Sequence, residues 1–354
     1  MRAAEGGTAW DGGLKVRVDG ALHGFVAEET ALLVAIDPEL GPVAEQLSAV
    51  VADGKRLRAA FAYWGWRAAG QPDSEAMVRA ATAMELVHAA AVVHDDLIDE
   101  SPVRRGLPTA HLALRGAVPE GPGREAAGRA LAMLVGDLLT AWSGQLFASC
   151  GLPAGYLARA RPLWATLARE LIAGECLEVL RTRAAPSETG SLEIVRYKTA
   201  KYTVEHPLHL GALLAGAPPE LLDALTAYGL PLGEAFQLRD DLLGVFGDPA
   251  RTGKSNLDDL VGAKPTALLA LALARSGPTD RARLHELLSH PGPGADRLDE
   301  LRALLTRSGA RSRVEELIEE RAAAARGALA RAALPAQAAA ALGDLVTAVT
   351  ARTS

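Results

Sequence analysis

ELVHAAAVVHDDLIDESPVRRGLPTAH, residues 85–111, decides how this chain is read. The stretch opens as apolar helix and closes in an acidic cluster of Asp95, Asp96 and Asp99, with Glu100 beside it. Arg104 and Arg105 follow at once. At about 3.6 residues per turn, Asp95 and Asp99 stack on one helix face and Asp96 lies roughly 100° round. Like charges four residues apart destabilise a helix, and carboxylates at its C-terminal end oppose the macrodipole. A hard cation that takes oxygen ligands, such as Mg²⁺, turns that penalty into a binding site. A solvated acidic helix end is the plainer alternative.

Working outward, the 354 residues are alanine-rich and only 4% aromatic, which favours helix over strand. Helical patterning runs almost unbroken from about Ala27, with Gly/Pro punctuation at Gly70–Pro72, Gly116–Gly123 and Gly216–Pro219. The expected helices include 74–99, 190–214 and 218–247, and Asp73–Ser74 and Pro218–Pro219 have the chemistry of helix starts. No alternating β-branched run bounded by hairpin turns stands out, so no sheet is expected. Residues 1–24 read as a loose, glycine-rich tail and 25–354 as a single all-α domain. A net charge of −6 argues against a nucleic-acid partner held by a general field. Cys150 and Cys176 lack metal-type spacing and read as reduced core or near-core thiols. No run approaches the ~20 apolar residues of a membrane span, and the start has no signal-peptide core, so the expectation is a cytoplasmic protein without stable membrane insertion.

A second acidic helix end, Asp240–Asp241, sits in FQLRDDLLGVFGDP. Two such ends in an all-helical chain suggest facing halves of one metal-lined mouth, since helix bundles build sites from side chains projecting inward. Basic residues recur beside them. Lys55, Arg56 and Arg58 stand in GKRLR, Lys198, Thr199 and Lys201 in RYKTAKYT, Lys254 in TGKSNLDD and Lys264 in GAKPT. Carboxylates, a divalent ion and scattered Lys/Arg fit a polyphosphate. The chain has neither a Walker pattern nor a GxGxxG fingerprint, so a nucleotide is not the natural choice. Before Asp95 the small Ala89, Ala90 and Ala91 leave room for an apolar slot. A greasy slot beneath a diphosphate mouth describes a site for a prenyl diphosphate.

On these motifs the chain resembles the trans-isoprenyl diphosphate synthases of the polyprenyl synthetase family, most like the bacterial geranylgeranyl diphosphate synthases. HDDLIDESPVRRGLPTAH resembles the first aspartate-rich motif, and FQLRDDLLGVFGD with TGKSNLDDL the second. GKRLR resembles the isopentenyl diphosphate motif, and YKTAKYTVEHPLHLGA the Lys-Thr segment. The resemblance implies an isoprenoid synthase-type bundle of long antiparallel helices around a central cavity, a homodimer, three Mg²⁺ ions, and head-to-tail condensation of isopentenyl diphosphate with an allylic diphosphate.

By matched motif, the resemblance implies that Asp95, Asp96 and Asp99 ligate Mg²⁺ on the allylic diphosphate. Asp240, with Asp241 beside it, would hold the third ion. It implies contacts to the allylic diphosphate from Arg104, Lys198 and Lys254, with Thr199 near the reacting end and Gln237 among the substrate-binding residues. Lys55, Arg58, His88 and Arg105 would bind isopentenyl diphosphate, whereas His94 keeps a packing role. The chain departs from the pattern at Gly244, where many relatives have a third Asp. It departs again at Glu175 and Glu178, where Gln and Asp are usual, so Glu175 reads as an extra metal contact or a Lys-paired wall group. Asp258 and Asp259 are further candidates near the second motif. Where bulk would stop the chain early stand Ala91 and Ala90, with Val87 and then Met84 below as the first floor, roughly 16 Å down. That points to a C20 product, geranylgeranyl diphosphate, over C15, with C15 and C25 as the alternative lengths. A terpene cyclase and a non-catalytic regulatory subunit on the same fold are the competing readings, and intact GKRLR and both acidic motifs argue against them.

Overall fold

The computed structural model describes residues 11, 13–182, 184–247, 264–289 and 295–351. Their regular structure is helical apart from one two-residue β-ladder, so the all-α expectation holds. The described chain forms two compact units: one is residues up to Arg161 with Pro207–Ala217 and Leu334–Ala341, the other Pro162–His206, Pro218–Ala333 and Leu342 onward.

In the first unit, α1 (Leu14–Ile36) corrects the expectation of a loose tail to residue 24. Left-handed Gly13 starts it, and Leu14, Val18, Leu22, Phe25 and Val26 recur at helical spacing on a buried face. A turn of 3-10 helix leads into α2 (Gly41–Val51), which is followed by α3 (Leu57–Ala68). Nearly all of α3 is buried, including Phe61, Tyr63, Trp64 and Trp66, as befits a helix apolar on every side. Next comes α4 (Glu75–Ile98), capped by the Ser74 hydroxyl on the Met77 N–H at 3.3 Å. It packs along α6 (Arg124–Ala148). Both helices are long and apolar enough to cross a membrane by length and composition, which corrects the expectation that no run is. The α4 window is 67% buried in the protein and carries buried Glu85 and Asp96, the mark of a core helix. Between them, β1 (Val103–Arg104) and β2 (Leu107–Pro108) pair antiparallel and lead into α5 (Ala110–Arg115). This ladder was not expected from the sequence. Its turn, Arg105–Gly106, has positive φ at both residues (52° and 77°), the hairpin geometry that matches strand twist. α7 (Ala154–Arg181) begins in this unit.

In the second unit the expected single helix over 190–214 is three segments. α8 (Glu188–Ile194) gives way to a π-helix, Val195–Glu205, and then to α9 (His206–Ala215), most of which belongs to the first unit. Eleven π-helical residues is long for a geometry normally confined to single-turn bulges, which are frequent at functional sites. α10 (Pro219–Phe246) starts on Pro218–Pro219 as anticipated. Two later helices, α11 (Ala267–Arg275) and α14 (Ala310–Arg331), pack on α10 and on each other, with α12 (Pro278–Ser289) and α13 (Ala295–Arg307) alongside. Leu238, Leu242, Leu268, Leu305, Val314 and Ile318 form the heart of their core. α15 (Ala336–Thr350) closes the described chain.

Candidate active site

α4 carries the first acidic cluster at its C-terminal turn. Asp95 and Asp99 are part-exposed and Asp96 is buried. The hairpin folds Arg104 back onto them. Its Nε donates to both oxygens of Asp96 (2.9 and 3.1 Å), and its Nη2 donates to Asp96 and to Asp95 (3.3 Å). The chain's own guanidinium thus rests on a set of carboxylate oxygens. Such a donor set is the kind a hard divalent cation takes, so the residues fit Mg²⁺. Beneath Asp95, the part-exposed stripe of α4 is His88, Ala91 and Val92, with Val87 at its edge. Met84, on the same line, is fully buried and ends the stripe. Ala90 lies roughly 140° round the helix from Asp95 and is buried at 3%. His94 is as anticipated: its Nε2 meets the Met133 carbonyl at 3.3 Å, and the absence of a side chain at Gly136 makes room for the ring.

GKRLR lies at the junction of α2 and α3. Lys55 is exposed and Arg58 buried. The α3 N-terminus is held by Glu85 of α4, whose carboxylate accepts the Ala59 N–H at 2.9 Å. Arg105 donates to the Asp53 carbonyl. Positive charge collects round one imidazole: burial first, then Arg58, Arg105, Arg104 and Arg56, holds His88 well below its ordinary range, so it is neutral. Partial burial and the neighbouring Arg56 and Arg104 also depress Arg105. A cluster of guanidiniums gathered this closely favours an anion. Among the described residues, three non-glycine residues have left-handed backbone, and all three flank this region: Arg56, Glu100 and Arg105, with φ of 54°, 55° and 52°. Such conformations cost about 1–3 kcal/mol each and cluster at functional sites.

In the second unit the π-helix presents Lys198 and buried Thr199. The backbone of Lys198 passes so close to α7 that a Cβ on Gly174 would lie 2.3 Å from its nitrogen. On the other side, a Cβ on Gly233 of α10 would lie 2.5 Å from the Ala200 Cα. Lys198 Nζ pairs with Glu178 at 2.5 Å and Glu175 at 3.0 Å, and Lys264 reaches Glu178 at 3.7 Å. The two unexpected glutamates are therefore Lys-paired. Further along, Lys201 and His206 share Glu170, both at 2.8 Å. Burial keeps His206 below its usual range despite that carboxylate. On α10, Gln237 donates to Asp241 at 2.8 Å, and Asp241 is buried while Asp240 is part-exposed.

Some expectations need correcting or fall away. Arg321 is not merely a solvated face residue, because it pairs at 2.6 Å with buried Glu234, which Arg196 also meets. Cys176 is exposed on α7 rather than near-core, on the outward face that also shows Ile172, Val179 and Leu180. Lys254, Asp258 and Asp259 lie outside the described residues. Sequence reasoning missed Glu85, Glu170 and Glu234, although each is an acid interrupting an apolar helical run, the one signal that could have found them.

Residues 42–305 match the family model for polyprenyl synthetase. The curated (2E,6E)-farnesyl diphosphate synthase of Mycobacterium tuberculosis is 34% identical over 71% of this chain and 66% of its own length, just under two thirds. The nonaprenyl diphosphate synthase of the same organism is 31% identical over 79% of the chain and 77% of its length. Among solved structures, a geranylgeranyl pyrophosphate synthase from Corynebacterium glutamicum, complexed with isoprenyl diphosphate and magnesium, superposes with a TM-score of 0.90 at 34% identity. That alignment covers 95% of this chain and 98% of that one.

Proposed function

The chain belongs to the polyprenyl synthetase family, and on that premise we propose that it is a prenyltransferase condensing isopentenyl diphosphate head-to-tail with an allylic diphosphate (dimethylallyl, geranyl or farnesyl). The observation that carries the reading is the first unit's pairing of a carboxylate cluster, Asp95, Asp96 and Asp99, with the guanidiniums gathered round neutral His88. A cyclase of the same fold ionises an allylic diphosphate but has no use for a second anion site.

Asp95, Asp96 and Asp99 would hold Mg²⁺ and Asp240 a further ion, three in all by resemblance. Bound Mg²⁺ supplies charge neutralisation of the departing diphosphate. Arg104 and Lys198 then have partners to exchange: each is ion-paired to carboxylates here and would turn to diphosphate oxygens when these arrive. The allylic C–O bond breaks, the π-electrons of isopentenyl diphosphate form the new C–C bond, and a proton leaves to the released diphosphate. Lys55, Arg58, His88 and Arg105 would hold the nucleophilic partner, and buried Thr199 would stand near the reacting end of the allylic diphosphate.

The C20 product, geranylgeranyl diphosphate, is supported by the small Ala91 on the open stripe and by the fully buried Met84 beneath it. A homodimer is supported by apolar side chains left exposed on α6 (Met133, Leu134) and α7 (Ile172, Val179, Leu180). Sedimentation of purified protein at twice the 36.9 kDa chain mass is expected, and a monomer at micromolar concentration contradicts it. Turnover tests the activity. Extended diphosphates that require both substrates support the synthase, hydrocarbons without isopentenyl uptake indicate a cyclase, and no turnover indicates a regulatory subunit.

A further inference from the structure

Arg56 is the one basic residue of GKRLR that is withdrawn from solvent on a left-handed backbone. Its guanidinium is used up by the protein. Nε donates to Asp19 of α1 at 2.6 Å, Nη2 to the Val51 carbonyl at 2.6 Å and Nη1 to the Asp53 carbonyl at 3.3 Å. Val51 is the last residue of α2, whose final C=O groups lack helical partners, so the guanidinium caps the helix there, while Asp53 lies in the loop just beyond. The Asp53 carbonyl also accepts from Arg105 of the hairpin. Gly54 lies so near both that a Cβ there would come 2.8 Å from Arg56 Nη1 and 3.8 Å from Arg105 Nη2. Asp19 is fixed in turn. Burial works against its charge, but hydrogen bonds from Lys15 and Arg56 hold its carboxyl below the usual range.

We propose that the Asp19–Arg56 pair is a positioning device for isopentenyl diphosphate: through the Asp53 carbonyl it fixes the loop that carries Lys55 and orients Arg105, without either residue touching the substrate. The proposal rests on the reading of Lys55, Arg58, His88 and Arg105 as the isopentenyl diphosphate site. It gives α1 a part in substrate selectivity, since a salt link from a neighbouring helix sets the geometry of the anion-binding loop. A misplacement of about 1 Å in such a set costs roughly a hundredfold, and a partial one correspondingly less.

The test is steady-state kinetics of Asp19→Asn and Arg56→Lys with isopentenyl and geranyl diphosphates, alongside thermal melts and a Lys55→Ala reference. The expected result is a KM for isopentenyl diphosphate raised roughly tenfold, with the geranyl diphosphate KM within about twofold and the variants still folded at assay temperature. An unchanged isopentenyl diphosphate KM in both variants overturns the proposal, and so does a loss shared equally by both substrates. Lys55→Ala separates this from failure of the site itself. If that substitution also leaves the isopentenyl diphosphate KM unchanged, the site reading falls and the proposal with it.

Discussion

At the scale of single residues, position decides what a small side chain does. Ala90 and Ala91 are chemically identical, yet one is packed inside and the other lies on the open stripe with His88 and Asp95. Ala91→Phe is expected to shorten the product, seen as a shift of the main diphosphate to lower mass. Ala90→Phe must first displace core neighbours at about 1–3 kcal/mol, and a lowered Tm is its expected signature. His88 is the other residue with a measurable consequence. Its imidazole is held neutral by burial and by Arg58 and its fellow arginines, whereas in the unfolded chain it titrates near 6.5. Below that pH the unfolded state binds the proton that the folded state refuses, so His88 costs stability increasingly as pH falls from about 6.5 toward the lower folded value. His88→Gln is expected to flatten the loss of Tm between pH 7 and pH 5; an unchanged slope contradicts the desolvated, arginine-ringed setting. The acids and arginines of this region were legible because their chemistry is written in residue type. Their pairings were not. Arg56 and Arg58 are both buried while Lys55 is exposed, and that Arg56 alone of the three sits on a left-handed backbone is something nothing in GKRLR announces.

At the scale of elements, α4 and α10 were plain from apolar runs, caps and punctuation, and the structure starts both where Ser74 and Pro218 say. The π-helix was not legible, because VRYKTAKYTVE has ordinary helical composition. Gly174 and Gly233 let two helices approach its backbone closely, a tertiary contact that composition does not reveal. α1 was missed over 14–24 because Gly13 and Gly20 mask a buried face that only becomes apparent once Leu14, Val18 and Leu22 have something to pack against. The hairpin was missed because two residues per strand leave no alternation to read, although Arg-Gly at its turn supplied the chemistry. Gly174→Ala tests the π-helix. The added methyl cannot fit 2.3 Å from the Lys198 nitrogen, so the segment must shift. The expected outcome is a destabilisation of about 1–3 kcal/mol with a raised KM for the allylic diphosphate. A variant with wild-type Tm and kinetics contradicts the close approach.

At the scale of the whole molecule, the proposed reaction joins isopentenyl diphosphate to an allylic diphosphate, and everything else follows from it. The family, shown by residues 42–305, supports the proposed reaction class, while relatives named for farnesyl, geranylgeranyl and nonaprenyl products leave length to this chain's own residues. The most direct measurement is mass spectrometry of the diphosphates formed by purified protein with Mg²⁺, geranyl diphosphate and carbon-13-labelled isopentenyl diphosphate. The account predicts intact diphosphates that gain one labelled five-carbon unit per condensation and stop at C20. Absence of label from every product, or label-free hydrocarbons in place of diphosphates, would contradict it.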